Sequence, residues 1–452
     1  MRGISFASSR AQTGMTEGGI IFWKVCYNAA MNITIEKIVY PGKSLGRIDG
    51  KVVFTDQGLP EEVVEVAVIK EAKGYVMAKT VKILTALPYR QEPLCSHYQV
   101  CSPYQYIDYT QQIEIKKQQL QEIIFRWFDI DRNLLNFRSS PQIWGYRNKI
   151  KVKIIRLKGL PQLAYNLPEI DDRFVPIDKC FLSPERTNLF MNEFITKLRQ
   201  KDFPAINQLV IRENENNKLL ICFYYDGVLD IGEFSLAFRS VLKQFEPEGA
   251  MLIDSESGEQ TIIYGDNFFK EVIGDKQFFI GGDSFFQINV KTLKLLVKDL
   301  RDNLTLSKDT ILADLYCGVG TFGILLAEQV KQVIGVEIEQ ENFAFLEKNI
   351  KANNLNNFEQ RFCDCNDTLK DLLKKNIDVV IIDPPRVGAN AQVCSKLIKS
   401  AVNTFVYISC DPSTLARDLK ILLFAYKVKN IYAYDFFPHT PRIETMIILE
   451  KK

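Results

Sequence analysis

Apolar and polar positions alternate in short runs over residues 33–87, and turn residues divide the runs. Residues 33–39, 47–48, 52–54 and 63–69 read as strands, separated by Pro41-Gly42-Lys43, Asp49-Gly50 and Leu59-Pro60. Asp-Gly between two β-type runs signals a tight hairpin, because both turn positions need a left-handed backbone. So many short strands in so little chain predict a small closed barrel, a common platform for single-stranded nucleic acid.

A breaker-rich junction covers residues 87–103, and a helix is predicted over 111–128 with Ile113, Leu120, Ile123, Ile124 and Phe128 apolar. Residues 150–155, 208–211 and 219–225 read as strands of a mixed α/β region, with a polar turn at 213–217. Beyond residue 304 continuous apolar strands alternate with helices: 311–315, 332–336, 378–382, 405–409 and 445–449. That grammar predicts a parallel sheet covered on both faces, with ligands at the carboxyl ends of its strands.

The chain has 452 residues, 46% of them apolar, enough for two or three domains with real cores. No membrane span is visible in it. Its ten cysteines are irregularly spaced and no secretory leader precedes them, so a reducing cytoplasmic setting is expected, with thiols serving chemistry or metal. Residues 1–30 mix Ser, Gly and Arg around one short apolar clump, and a non-native or disordered extension ahead of a natural start at Met31 explains them better than a targeting peptide.

A net charge of +2 names no partner, but the charge is unevenly spread. Residues 116–158 carry eleven Lys or Arg against three acids, with Trp127, Phe137, Trp144 and Tyr146 interleaved. Phosphates and unstacked bases are contacted by such a mixture, although a solvated basic face over a local aromatic core has the same letters.

Four segments carry candidate chemistry. Asp314-Leu315-Tyr316-Cys317-Gly318-Val319-Gly320 follows the first strand of the C-terminal region, and Glu337 ends the next strand nineteen residues after Gly318. A glycine turn and an acid at this spacing suit a ribose-bearing ligand. The dinucleotide pattern is incomplete, which disfavours a hydride carrier and favours S-adenosylmethionine; a tight turn beside an exposed Glu is the bland alternative. Asp383-Pro384-Pro385-Arg386-Val387-Gly388 forms a stiff turn after the third strand. Cys410 ends the fourth strand just before a helix start, Asp411-Pro412-Ser413-Thr414, where helix amides would lower its pKa and favour a nucleophilic thiolate. Alone, such a Cys reads more readily as a small apolar filler.

Taken together, residues 314–321, Asp383-Pro384-Pro385-Arg386-x-Gly388, Tyr407-x-Ser409-Cys410-Asp411-Pro412-x-Thr414-x-x-Arg417-Asp418 and Asp435-x-Phe437-Pro438-His439-Thr440-x-x-x-Glu444 resemble the motifs of RNA uracil-C5 methyltransferases of the TrmA/RumA type. The resemblance implies an α/β fold in three parts: an OB-like TRAM barrel over residues 31–90, a mixed α/β central domain over 91–290, and a Rossmann-like class I methyltransferase domain over 291–452. It implies Cys410 as the nucleophile toward uracil C6 and Glu444 as the base that removes the C5 proton. S-adenosylmethionine would be held by Gln287, Tyr316, Glu337 and Asp383. The implied protein is a cytoplasmic monomer that makes 5-methyluridine in structured RNA, 23S ribosomal RNA first and transfer RNA second.

Two departures from the family pattern stand out. Cys95, Cys101 and Cys180 match three cysteines of the family's iron-sulfur segment, but Tyr104 occupies the place of the remaining one, leaving open a cluster with a substitute ligand such as His97 or a lost site. Arg442 stands where the family often has a His, and His439 reads equally as a loop-shaping residue or a base contact. Methylation of an exocyclic amine leaves Cys410 and Glu444 unexplained, and an RNA-binding module with a decayed catalytic domain leaves all four motifs unexplained.

Overall fold

A computed structural model describes residues 30–166 and 174–452; the expected extension at residues 1–30 lies outside the described residues but for Ala30. The described residues divide into two compact units, 30–93 with 104–111, and 94–103 with those from 112 to 452.

The first unit holds a closed five-stranded barrel of Ala30–Val39, Lys43–Ile48, Lys51–Thr55, Val63–Ala72 and Tyr75–Thr85. Alternation sends Ile33, Ile35, Val53, Val64 and Val66 inward, where all are buried. Asp49 and Gly50 both take positive φ, 48° and 79°, as the predicted two-residue hairpin requires. The buried Glu62 closes the base of the unit, accepting hydrogen bonds from Leu59 N at 2.8 Å and Arg90 Nε at 2.7 Å.

The second unit is built on two sheets. One has seven strands, centred on Lys149–Leu157, Ile206–Glu213 and Leu219–Tyr225, and packs against helices Glu185–Gln200 and Ile231–Phe245. Phe190, Phe194, Phe223, Phe234 and Phe238 fill that layer with contacting rings.

The other sheet has eight strands in the spatial order Phe358–Phe362, Gln332–Glu337, Ile311–Leu315, Val379–Ile382, Thr404–Ser409, Glu444–Lys451, Tyr426–Tyr434 and Leu135–Arg138. The first five are parallel. Their side chains alternate between two separate cores: Leu312, Val333 and Val406 enter one, Ala313, Ile334 and Tyr407 the other. Chain order reverses between Ile311–Leu315 and Val379–Ile382, which opens the crevice where such sheets bind ligands.

The expected all-parallel sheet is corrected at one edge. Glu444–Lys451 runs antiparallel to Thr404–Ser409, because Tyr426–Tyr434 turns back on itself to form it, and Leu135–Arg138 from the central region adds the last strand. Apolar runs do not encode strand direction, so the reversal was invisible to patterning. No helix among the described residues is long and apolar enough to cross a membrane.

Candidate active site

The strand Ile311–Leu315 delivers the glycine turn to the crevice. Tyr316, Gly318 and Gly320 take positive φ of 61°, 58° and 91°, which folds the chain back into the helix Thr321–Leu326. At Gly320 a Cβ would lie 2.6 Å from Leu346 Cδ1, whereas at Gly318 it would meet nothing closer than Phe285 O at 4.0 Å. Gly320 therefore serves packing and Gly318 leaves an open groove.

Glu337 ends the neighbouring strand and organises the turn. One of its oxygens accepts from Gly318 N at 2.8 Å, the other from Ile338 N at 2.8 Å and Glu339 N at 2.7 Å. Asp314 is buried and accepts from Gly323 N at 2.7 Å, with its other oxygen enclosed and unpartnered among the described residues. Burial, and then Asp383 and Glu337, push its carboxyl up to about 7. Tyr316 is half-buried, and its ring packs against the core layer that contains Cys365 and Cys394. Ile338 and Phe362 are apolar yet exposed at the ends of adjacent strands, flanking the acid with a surface that patterning alone did not reveal.

Asp383 follows Val379–Ile382 and accepts a hydrogen bond of 3.1 Å from Gln287 Nε2. The stiff turn after it is braced from the helix Pro412–Leu422: Asp418 accepts from Ala389 N at 2.9 Å and Tyr407 Oη at 2.7 Å, and Arg417 donates to Val387 O at 2.8 Å. The Arg417-Asp418 pair of the motif thus holds the Asp383 loop.

Cys410 follows Thr404–Ser409, and Glu444 opens the antiparallel strand beside it. Ser409 pairs with Thr445, so thiol and carboxylate meet at one end of one strand pair. Glu444 is 2% exposed, and its Oε1 is enclosed without a hydrogen-bond partner among the described residues. Burial and then Asp383 hold its carboxyl well above the ordinary range, and Asp383 is itself raised by burial.

The thiol departs from expectation. Burial, with Glu444 and Asp383 nearby, pushes Cys410 up to about 12, against the opposing effect of Arg386 and Arg442. The helix amides that were to lower it are engaged by Asp411, which accepts from Ser413 N at 2.9 Å and Thr414 N at 3.3 Å. Arg386 and Arg442 flank the thiol, and their letters alone gave no signal of it.

Much of the basic, aromatic segment is spent on structure. Lys116 is fully buried and donates to Asp435 at 2.6 Å, Arg138 is paired with Asp299 at 2.8 Å, and Arg156 with Asp202 at 2.8 Å. Trp144 stacks on His439 at 3.7 Å, and Tyr146 Oη donates to Pro438 O at 3.0 Å. His439 is buried at φ 64°, hydrogen-bonded through N and Nδ1 to Gln112, and burial with Lys116 nearby lowers it to about 3. These contacts favour the loop-shaping reading of His439. Lys149 and Lys151 stay available on the strand Lys149–Leu157, and Trp127 is exposed.

Cys95, Cys101 and Cys180 carry thiols that influence one another, with Arg147 near them. Burial pushes Cys101 up to about 11, and Tyr165 Oη donates to Cys180 Sγ at 3.3 Å. Tyr104 is a fully buried side chain of the first unit. No group of three or more Cys, His, Asp or Glu suited to hold a metal occurs among the described residues, and with Tyr104 in place of the remaining Cys the donor set is one thiolate short of a cubane cluster.

The tRNA (uracil-5-)-methyltransferase family profile matches residues 108–452, and the TRAM domain profile residues 24–81. The chain belongs to the tRNA (uracil-5-)-methyltransferase family. It is an S-adenosylmethionine-dependent RNA methyltransferase with an N-terminal TRAM barrel. An RNA methyltransferase of Clostridium tetani is 30% identical over 93% of the chain and 97% of its own length, and one of Synechocystis is 29% identical over 93% and 96%. Among solved structures, the Pyrococcus abyssi tRNA (uracil-54, C5)-methyltransferase in complex with S-adenosyl-L-homocysteine is 26% identical, covers 93% of this chain and 99% of its own, and superposes with a TM-score of 0.71.

Proposed function

We propose that this methyltransferase moves the methyl group of S-adenosylmethionine to C5 of a uridine in structured RNA through a covalent bond between Cys410 and C6 of the base. The pairing of Ser409 with Thr445 carries the reading, because it brings a thiol and a buried carboxylate to one point. Uracil C5 is a weak nucleophile until the Cys410 sulfur, its proton passing to a neighbouring carboxylate, adds to C6 and the C5=C6 π pair becomes that of an enolate. Arg386 and Arg442 favour the Cys410 thiolate against the neighbouring acids.

S-adenosylmethionine, when bound, supplies an electrophilic methyl carbon and a permanent positive charge. Gln287, Tyr316, Glu337 and Asp383 are the residues proposed to hold it. The carboxylates Asp314, Glu337, Asp383 and Glu444 suit a cationic ligand, and the open groove at Gly318 admits one. Once C5 carries the methyl group, Glu444 takes the C5 proton. The electron pair of that C–H bond restores the ring double bond and expels the Cys410 sulfur from C6. A carboxyl raised by burial is a competent base near neutral pH. A stacked uridine cannot reach Cys410, so the target is single-stranded or flipped out.

The proposed substrate is 23S ribosomal RNA, acted on by a cytoplasmic monomer, since the N-terminal barrel resembles that of the ribosomal members. Transfer RNA is the second reading, favoured by the likeness to the Pyrococcus abyssi enzyme. Ribosomal and transfer RNA from cells lacking the gene, incubated with the protein and labelled S-adenosylmethionine, test both. Label at a 23S uridine supports the first reading, label in transfer RNA moves the substrate to the second, and label in neither overturns both.

A further inference from the structure

A cleft of about 490 Å³ lies beside the strand Lys149–Leu157 and reaches Arg386 and Arg442. Arg147, Lys149, Lys151, Arg386 and Arg442 line it, and among the described residues no carboxylate does. Five cations along one cleft outnumber the nearby Asp283 and Asp411, and a bound anion relieves the repulsion among them. Burial first, then the nearby Arg212, lowers Lys149 to about 8 against the opposing effect of Asp283.

The cleft adjoins the reaction. Arg386 and Arg442 are the two cations that act on the Cys410 thiol, while Glu444 and Asp383 act on it with the opposite sign. Cys410 therefore stands on a border between an acidic side suited to a sulfonium and a cationic side suited to an anion. Arg442 approaches Asp411 at a long 4.0 Å and its side chain is 32% exposed, so its guanidinium is not consumed in a tight internal pair. Lys151 is exposed at the cleft. A guanidinium fork matches two phosphate oxygens, and this volume is that of a site for a small ligand such as one nucleotide.

We propose that the cleft is a phosphate-binding subsite, in which Arg442, Arg386 and Lys151 hold a phosphodiester of the RNA strand adjoining the uridine that Cys410 attacks. The proposal rests on the reaction proposed above for the position of the uridine. The anion follows from the charge and shape of the cleft. The segment that carries Cys101 forms part of its wall, which gives that segment a place in RNA binding without a metal.

The full-length protein is titrated with a ten-nucleotide oligouridine RNA at several salt concentrations, alongside Arg442→Ala, Lys151→Ala and the double variant. Each single change is expected to weaken binding about threefold to tenfold at low salt and to lower the slope of log Kd against log salt by about one, the double by about two. Arg442→Lys should keep the slope, and S-adenosylmethionine affinity should be unchanged throughout. Lys151, being exposed, carries the test if Arg442→Ala fails to fold. Unchanged slopes overturn the subsite, as does a slower reaction at saturating RNA with an unchanged slope, which would assign Arg442 to the thiol. Formation of 5-methyluridine by the unaltered protein is measured in parallel. If that fails while the slopes fall as expected, the reaction is lost and the subsite stands.

Discussion

Gln287 donates a hydrogen bond of 3.1 Å to Asp383, tying the segment before the helix Val290–Asn303 to the strand end that precedes the Pro384-Pro385 turn. The backbone carbonyl of Gln287 is held separately, by Asn148 Nδ2 at 3.0 Å. Gln287→Ala therefore frees Asp383 without releasing the segment. S-adenosylmethionine affinity, measured by calorimetry, should fall about tenfold, the loss of one hydrogen bond to a charged group, with RNA affinity unchanged.

The acids of the crevice set a pH dependence. Asp314 and Asp383 are raised to about 7, mainly by burial, so the empty site is partly protonated at neutral pH. A cation binds the ionised carboxylates better, so its affinity must rise as pH climbs through about 7 and fall below it. S-adenosylmethionine should bind about tenfold more tightly at pH 7.5 than at pH 5.5, and S-adenosylhomocysteine, without the sulfonium charge, should gain less. Equal gains for both ligands would remove the acids from the cofactor site.

Glu444→Gln keeps the size of the side chain and removes the base. Turnover should fall by about 10²–10⁴-fold, and the covalent RNA complex should accumulate, because the C5 proton is not taken and sulfur is not expelled. Denaturing gels read the complex directly. Turnover near the unaltered rate would assign the base elsewhere.

The cysteine segment gives a metal prediction. Three mutually influencing thiols, one of them accepting from Tyr165 Oη, do not form a metal-holding group. Protein purified anaerobically should show no visible absorbance band and iron near zero by elemental analysis. Tyr104→Cys alone should not restore a band. A stoichiometric cluster in the unaltered protein would overturn this.

Strand ends and turn residues were legible because their chemistry is local. The Asp49-Gly50 hairpin, the Gly318 turn and the order of Glu337, Asp383 and Cys410 along successive strand ends follow from the neighbours of each residue. Partners remote in sequence were not legible. Lys116 meets Asp435 across 319 residues and Arg138 meets Asp299 across 161, so these two charges of the segment that read as an RNA surface are spent in ion pairs. The thiol follows the same rule: its burial, and then the reversal that sets Glu444 beside it, are tertiary events, and together they raise the pKa that a helix start alone would lower.

The central claim is that Cys410 bonds to C6 of the target base. The protein is incubated with S-adenosylmethionine and substrate RNA carrying 5-fluorouridine, whose C5 fluorine cannot be removed as a proton, and the adduct is mapped by mass spectrometry. A denaturation-stable complex with the RNA on Cys410 is expected, together with its loss in Cys410→Ala at unchanged S-adenosylmethionine affinity. A complex on another residue, or methylation that survives Cys410→Ala, would contradict it.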